Sequence, residues 1–486
     1  MNPANGKSKP SPPITTVKIL NLKQTIQQVF ELQRAHSLTL RNTDSSQRKN
    51  KLRKLKSVIE NNEKEIYAAL DIDLRKSQFE AAFSEVYFVY AEIDFAIKHL
   101  SGWMKPKRAG VTMTSFLTKS RIYYEPKGVC LILAPWNYPF QLLIGPLISA
   151  IAAGNCAILK PSEISQATSA AVMKIISENF DSNEIACFEG NTEVSKTLLE
   201  VPFDHIFFTG GTAVGKVVMT AAAKNLTSVT LELGGKSPCI IDEHTNLQKT
   251  AEKIMWGKFM NAGQTCIAPD YILIKKEQEE EFIKHASAAL DKMYYPDGKL
   301  DKQSYGKIIN EKNFNRINEL VIDAVTGGAK VTVGGSNQSG DLTFEPTILT
   351  NVSPDSKIMQ EEIFGPLLPV LNYQTIKEAV DFVNNRPKPL ALYVFTDQRK
   401  VSDYIIMNTS TGGTAVNDVL VHISNPKLPF GGVNSSGIGS CHGYFGFKTF
   451  SHERAVMFQS SINTNQIIYP PFGKKNGLLK WLKKLM

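Results

Sequence analysis

His205-Ile206-Phe207-Phe208-Thr209-Gly210-Gly211-Thr212-Ala213-Val214-Gly215 runs from an apolar, β-like segment through paired glycines into a helical one. Glycines let the backbone pass close to a ligand, and the free N–H groups at a new helix start attract a phosphate. The spacing departs from GxGxxG, so the turn taken alone reads equally as a plain tight turn. Its surroundings decide. Apolar runs at 129–134, 156–159, 185–189 and 229–233 alternate with helical patterns near 139–152, 165–178, 192–200 and 213–224. Strands apolar on both faces and separated by helices predict a parallel sheet covered on both sides. The expected fold is α/β, with a Rossmann-like doubly wound domain that binds its ligand at the carboxyl ends of the strands.

Beyond Gly234 a second α/β region follows, with strand patterns at 271–274, 330–333, 367–373 and 391–395 among helices near 277–293, 311–326 and 375–384. Before Gly128 the chain reads as helices over 22–34, 47–70 and 79–100, then two short strands within 111–125 that suggest an arm. The aromatics Phe79, Phe83, Tyr87, Phe88 and Tyr90 read as core.

A chain of 486 residues exceeds one ordinary core and divides into domains. With 42% hydrophobic and 21% charged residues it reads as globular, and no run of about 18 apolar residues exists to span a bilayer. Residues 1–13 carry Pro, Ser, Asn and Lys without an apolar core, which suggests a disordered tail on a cytosolic protein. Six scattered cysteines without a CxxC pair argue against a zinc site or disulfide framework. The net charge of +9 is uneven: residues 1–57 carry +10, residues 454–486 carry +6, and the remainder carries −7. An acidic body with basic ends argues against nucleic acid as the main ligand.

The chemistry-bearing residues follow the same strand ends. In Asn261-Ala262-Gly263-Gln264-Thr265-Cys266, a thiol sits on a loop after an amphipathic stretch and before a strand, a nucleophile's setting, although a lone cysteine more often packs as a small hydrophobe. Asn137, in Pro135-Trp136-Asn137-Tyr138-Pro139, follows the first strand, where its amide can donate to a developing oxyanion or merely form a turn. Lys160 and Glu163 follow the second strand and suit ribose hydroxyls, or an N-cap. Glu232, in Leu231-Glu232-Leu233-Gly234-Gly235-Lys236, is a carboxylate among leucines, where desolvation raises a base toward neutrality. It also lies 22 residues beyond Gly210, the spacing of a Rossmann ribose ligand. Glu362 leads, through Phe364, into a later strand.

Together these motifs resemble the aldehyde dehydrogenase superfamily over roughly residues 22–472, through LELGGKSP around Glu232 and the GQTC loop ending at Cys266. PWNYPFQLL, KPSE, GQTCIAPDY and the late PFGG…TFSH make the chain similar to the class 3 type, the fatty and aromatic aldehyde dehydrogenases. The resemblance implies a cofactor domain over 21–233 with a bridging arm at 109–126, a catalytic domain over 234–412, a return and oligomerisation segment over 413–458, and tails at 1–20 and 459–486. It implies Cys266 as nucleophile, Glu232 as general base, and Asn137 with the Cys266 N–H as oxyanion hole. Cofactor contacts would come from Trp136, from Lys160 and Glu163 at the adenine ribose, from Gly210, Gly211, Thr212, Val214 and Gly215 at the pyrophosphate, and from Glu362 and Phe364 at the nicotinamide ribose. Two positions depart from the wider superfamily: Pro146 stands where many members have lysine, and Asn434 interrupts FGGVG.

The expected activity is NAD(P)+-dependent oxidation of aldehydes, medium or long aliphatic or aromatic, without metal. NAD is the expected cofactor and NADP a possible one, since Glu163 repels a 2′-phosphate and Lys160 tolerates one. The alternatives are a coenzyme A-acylating member and a non-catalytic NAD-binding scaffold. The resemblance also implies a homodimer. At the carboxyl end, 477–486 gathers Leu478, Leu479, Trp481, Leu482, Leu485 and Met486 against Lys480, Lys483 and Lys484. That pattern suits peripheral contact with an anionic membrane, or equally docking on protein.

Overall fold

The computed structural model describes residues 14–112, 117–462, 466, 469–480 and 483. The tail expected over 1–13 lies outside them, and the amphipathic segment 477–486 falls partly outside. The first helix spans Ile14–Leu40, so residues 14–20, assigned to a tail by sequence, continue a helix. Pro13 is the last residue before it whose ring would interrupt helical hydrogen bonding.

Two sheets dominate. The first has six strands in the order Gly437–Ile438, Ser228–Glu232, His205–Thr209, Val129–Leu133, Cys156–Lys160, Ile185–Cys187, all parallel except the short antiparallel edge at Gly437–Ile438. From Val129–Leu133 the chain steps outward through Cys156–Lys160 to Ile185–Cys187, then returns to the other flank at His205–Thr209. The reversal of direction between these neighbouring central strands opens a crevice at their carboxyl ends. The residues following them are Trp136 and Asn137 on one side and Gly210 and Gly211 on the other.

The second sheet has seven strands, ordered Lys330–Val333, Thr347–Thr350, Leu367–Tyr373, Tyr271–Lys275, Pro238–Ile241, Ala391–Phe395, Gly413–Val416. Only Lys330–Val333 is antiparallel. Strands Pro238–Ile241, Thr347–Thr350 and Gly413–Val416 escaped the sequence reading, because segments of only four residues carry too little periodicity to separate strand from loop. The last of them moves the expected 412/413 boundary. Gly413–Val416 pairs in parallel with Ala391–Phe395 inside the second sheet, and the chain rejoins the first sheet only at Gly437. The arm is three-stranded: Lys107–Ala109, Lys119–Pro126 and, from far along the chain, Ser451–Phe458.

Both faces of the first sheet are buried. Cys130, Ile132, Ala157 and Leu159 face one core cluster, and Val129, Leu131, Cys156 and Ile158 face the other. Each fully buried large aliphatic there contributes about 1.5–3 kcal/mol. The helical 47–70 reading divides at Asn62 into Ser45–Asn61 and Glu63–Leu74. The 79–100 reading becomes Gln78–Ala81, one turn of π-helix over Ala82–Val86, and Tyr87–Trp103. This π turn corrects the core assignment of the aromatics. It buries Ser84, Glu85 and Val86 in succession and leaves Phe83 and Tyr87 at 54% and 55% exposure, while Phe79, in the short helix before it, is 81% exposed. An inserted residue rotates the helix face, which a fixed 3.6-residue period cannot anticipate.

Candidate active site

The crevice at the switch point is a cavity of about 550 Å³. Gly211 precedes the helix Thr212–Ala223 as its N-cap, without a side-chain capping bond, and a Cβ at Gly211 would meet open space. Helix-terminal N–H groups therefore face the crevice with room for an anion. The turn is anchored by the Gly210 N–H, which donates to the Glu232 carbonyl at 3.0 Å. Trp136 and Phe364 meet edge-to-face across the crevice at 5.2 Å between ring centroids. Trp136, Gly210, Gly211, Thr212, Glu362 and Phe364 all line it.

Four expected cofactor residues stand outside that lining. Lys160 donates to the Pro161 carbonyl at 2.7 Å and to Glu163 Oε2 at 3.1 Å, and so spends its charge on its neighbour at the strand end. Val214 is on the exposed helix face. Gly215 is a packing glycine, since a Cβ there would strike Leu233.

The loop that carries Cys266 is bent by its sequence. Asn261, Ala262 and Gly263 have φ of 52°, 51° and 74° in succession. The left-handed region strains the first two, and a Cβ at Gly263 would overlap the Gly365 carbonyl. Hydrogen bonds hold the strain: Gln264 Nε2 donates to the Asn261 carbonyl at 3.0 Å and the Lys307 carbonyl at 2.9 Å, while its Oε1 accepts from the Ile309 N–H at 3.0 Å. This loop carries Cys266 to the wall shared by the crevice and an apolar channel of about 340 Å³. Burial pushes the Cys266 thiol up to about 12, reinforced by the Glu362 and Glu232 carboxylates and opposed by the backbone N–H groups of Cys266 and Ile267. Asn137 is buried, and its Nδ2 donates to the Gln264 carbonyl at 3.0 Å. One of its two amide hydrogens is thus used, and the other is free for a substrate oxygen.

Glu232 ends its strand at the crevice, and neither carboxylate oxygen has a hydrogen-bond partner. Burial lifts it well above the ordinary carboxylate range, with only the Cys441 thiol pulling the other way. Glu362 is likewise raised, to about 8, by burial and by Asp270. Its segment is braced by residues the sequence did not single out. Arg316 Nη2 donates to the Ile363 carbonyl at 2.6 Å, and Lys236 Nζ to the Glu361 carbonyl at 3.0 Å. Lys236 also pairs with Asp270, whose Oδ1 accepts from the Ile363 N–H. Arg316 belongs to an otherwise ordinary amphipathic helix, Glu311–Thr326, and only the tertiary contact distinguishes it.

The channel is lined by Phe83, Tyr87, Phe88, Trp256, Met260 and Ile423 with other, mostly apolar, groups. Asn434 takes φ 54°, which asparagine tolerates better than most residues, so the loop keeps a glycine-like bend. Pro146 sits within the helix Gln141–Ala153 and lines a small cavity behind Glu232. Among the described residues, no group of three or more His, Cys, Asp or Glu could hold a metal. A dinucleotide fits the crevice: it offers free helix-start N–H groups, open space at Gly211, the orphaned Thr209 Oγ1 and the half-buried carboxyl of Glu362.

Residues 3–456 match the model of the aldehyde dehydrogenase family. The chain is 44% identical to the 4,4′-diaponeurosporen-aldehyde dehydrogenase of Staphylococcus aureus (strain NCTC 8325 / PS 47), over 94% of this chain and 98% of that one. It is 44% identical to aldehyde dehydrogenase family 3 member A2 of Macaca fascicularis, over 86% of each. Among solved structures, the substrate-bound state of Staphylococcus aureus AldH matches with a TM-score of 0.90 and 43% identity, over 94% of this chain and 99% of that one. An indole-3-acetaldehyde dehydrogenase complexed with NAD+ matches at TM-score 0.82 and 25% identity, over 90% and 89%.

Proposed function

The chain belongs to the aldehyde dehydrogenase family, and from that premise we propose that Cys266, Glu232 and Asn137 carry its oxidation of aldehydes to carboxylic acids with NAD, NADP being a possible substitute. The observation that supports these roles is that Cys266 lines both the glycine-turn crevice and the apolar channel, with Glu232 on the crevice side.

Cys266, its thiol proton lost to water, attacks the aldehyde carbon as the thiolate, and the carbonyl electron pair moves to oxygen, where the free Asn137 N–H and the Cys266 backbone N–H hold it. NAD(P)+ held in the crevice would accept the hydride that leaves the carbon as the oxygen's electron pair returns, and its positive charge would favour the thiolate. The thioester left on Cys266 is then attacked by a water whose proton passes to Glu232, and the thiolate departs as the acid forms. Trp136, Phe364 and Glu362 would orient the cofactor at one end, and the 210–212 turn would hold its phosphates. Glu163, if it reaches the adenine ribose once cofactor is bound, would repel a 2′-phosphate and favour NAD.

The substrate reading is a medium or long aliphatic or aromatic aldehyde, because the channel wall offers apolar side chains to the aldehyde's tail. A series of aldehydes of increasing chain length, assayed with NAD+ and NADP+, should give kcat/KM rising with apolar length, and higher with NAD+. A flat or falling series would reject the substrate reading.

The arm and its long antiparallel strand support a homodimer, and the free cysteines support a reducing, cytoplasmic setting. The charged and apolar halves of 477–486 support peripheral contact with an anionic membrane. Full-length protein should sediment with anionic vesicles while a chain ending at Gly473 stays in the supernatant, and light scattering should give twice the chain mass. Equal partitioning would end the membrane reading, and a monomer mass the dimer reading.

A further inference from the structure

Three charged side chains lie beneath the oxyanion site, on a segment that the mechanism above does not use. Lys76 follows the left-handed residue Arg75, φ 54°, at the end of Glu63–Leu74, and its side chain is fully buried. Its ammonium donates to Glu85 Oε1 at 2.5 Å and to the Asn137 backbone carbonyl at 3.0 Å, and it lies 3.8 Å from the centre of the Tyr138 ring. The π turn directs Glu85 inward, and its other oxygen accepts from the Phe140 and Gln141 N–H groups at 3.1 and 2.8 Å, at the start of helix Gln141–Ala153. Glu80 Oε1 accepts from the Asn261 N–H at 2.9 Å, on the strained side of the nucleophile loop.

A buried ion pair is weak evidence for stability, because desolvation offsets most of the attraction. Here the charges also bind backbone. The Asn137 carbonyl accepts from both Lys76 Nζ and Asn261 Nδ2, the latter at 2.9 Å, which uses both of its lone pairs and sets its peptide plane. Asn261 Nδ2 also reaches the Gln264 carbonyl at 3.1 Å, the acceptor that Asn137 Nδ2 uses, and the Tyr138 and Thr265 hydroxyls meet at 2.8 Å. Lys76 and Glu85 thus hold the strand-end loop, Glu80 holds the nucleophile loop, and the two loops are stapled to each other.

We propose that Lys76, supported by Glu85 and Glu80, is a positioning residue that aims the Asn137 amide at the oxygen of the reacting aldehyde. The proposal rests on the reading of Asn137 as an oxyanion donor. Because a misplacement of about 1 Å can cost on the order of 100-fold in rate, the contact acts on the hydride-forming step rather than on cofactor binding or on the thiol.

The test uses the full chain with Lys76→Met and Glu85→Gln combined, so that neither charge is left buried alone, each with and without Asn137→Ala. The rate of the first turnover of NADH formation should fall on the order of 100-fold. The KM for NAD+ and the rate of Cys266 alkylation by iodoacetamide should stay within about threefold, since thiol and crevice are untouched. Asn137→Ala should cost on the order of 100-fold in the native background, yet only about twofold more in the double variant, because both act through one amide. Should the double variant not fold, Lys76→Arg replaces it. Its guanidinium keeps the charge but cannot place one donor on both acceptors, so a loss of about tenfold, again non-additive with Asn137→Ala, is expected. A costly Asn137→Ala whose loss multiplies fully with the Lys76 variant, or a Lys76 variant with a native first turnover, overturns the proposal. An Asn137→Ala chain with native first-turnover rate instead overturns the oxyanion reading, and the positioning role with it.

Discussion

Cys266→Ala should eliminate aldehyde-dependent NADH formation, lowering kcat/KM by at least about 10⁴-fold, or about 5.5 kcal/mol of transition-state stabilisation. The size follows from the loss of the attacking atom: hydride leaves the carbon only after sulfur has added to it, and alanine offers no substitute. Cys130, Cys156, Cys239 and Cys441 are buried, and Cys187 is half-buried with its thiol raised by burial and Glu189, so none can replace it. Persistent turnover in this variant would remove Cys266 from the mechanism. The same thiol gives a pH signature. With its pKa pushed up by burial and two carboxylates, the free enzyme holds Cys266 almost wholly as the thiol at pH 7. Alkylation of Cys266 by iodoacetamide should therefore rise about tenfold per pH unit from pH 7 to 10 without cofactor. NAD+ should accelerate it at pH 7 by placing positive charge beside the sulfur. A rate already level by pH 8 would mean that a different field acts on the thiol.

Glu232→Gln should separate the two halves of the reaction. The first turnover of NADH should appear at near-native rate and close to one equivalent per site, because sulfur addition and hydride loss do not require this carboxylate. Steady turnover should then fall by on the order of 10²–10⁴, the usual range for a lost general base. In the native enzyme the carboxylate's raised pKa sets the direction of the pH dependence. Burial without a hydrogen-bond partner favours the protonated form, which cannot accept a proton from water. Thioester hydrolysis should accordingly slow as pH falls through the raised pKa, and that dependence should vanish in the glutamine variant. Loss of the first turnover together with the steady state would place Glu232 in the first step instead.

The class of fold and the motifs that carry the proposed reactive groups were legible because both are local. A run such as His205–Thr209 followed by Gly210-Gly211 encodes a strand, a turn and a helix start within a few residues, and Cys266 and Glu232 sit in short motifs whose composition is unusual. The aromatics at 83 and 87 were misread for a local reason as well, since one π turn shifts the buried face by a residue. Other features depend on pairs far apart in the chain. The edge strand Gly413–Val416 gains its place from Ala391–Phe395, and the arm is completed by Ser451–Phe458.

Residue types and their order along the sequence alone determined an alternating α/β chain with a glycine turn, a thiol, a carboxylate and an amide at or near strand ends. Tertiary structure alone decided how those groups are tuned and aimed. Desolvation raises Cys266, Glu232 and Glu362 together. Arg316 and Lys236 brace the Glu361–Ile363 backbone, and Lys76 reaches the carbonyl of Asn137 across 61 residues of chain. Burial and hydrogen-bond direction are properties of packed neighbours, and sequence spacing carries no record of which distant side chain will supply them.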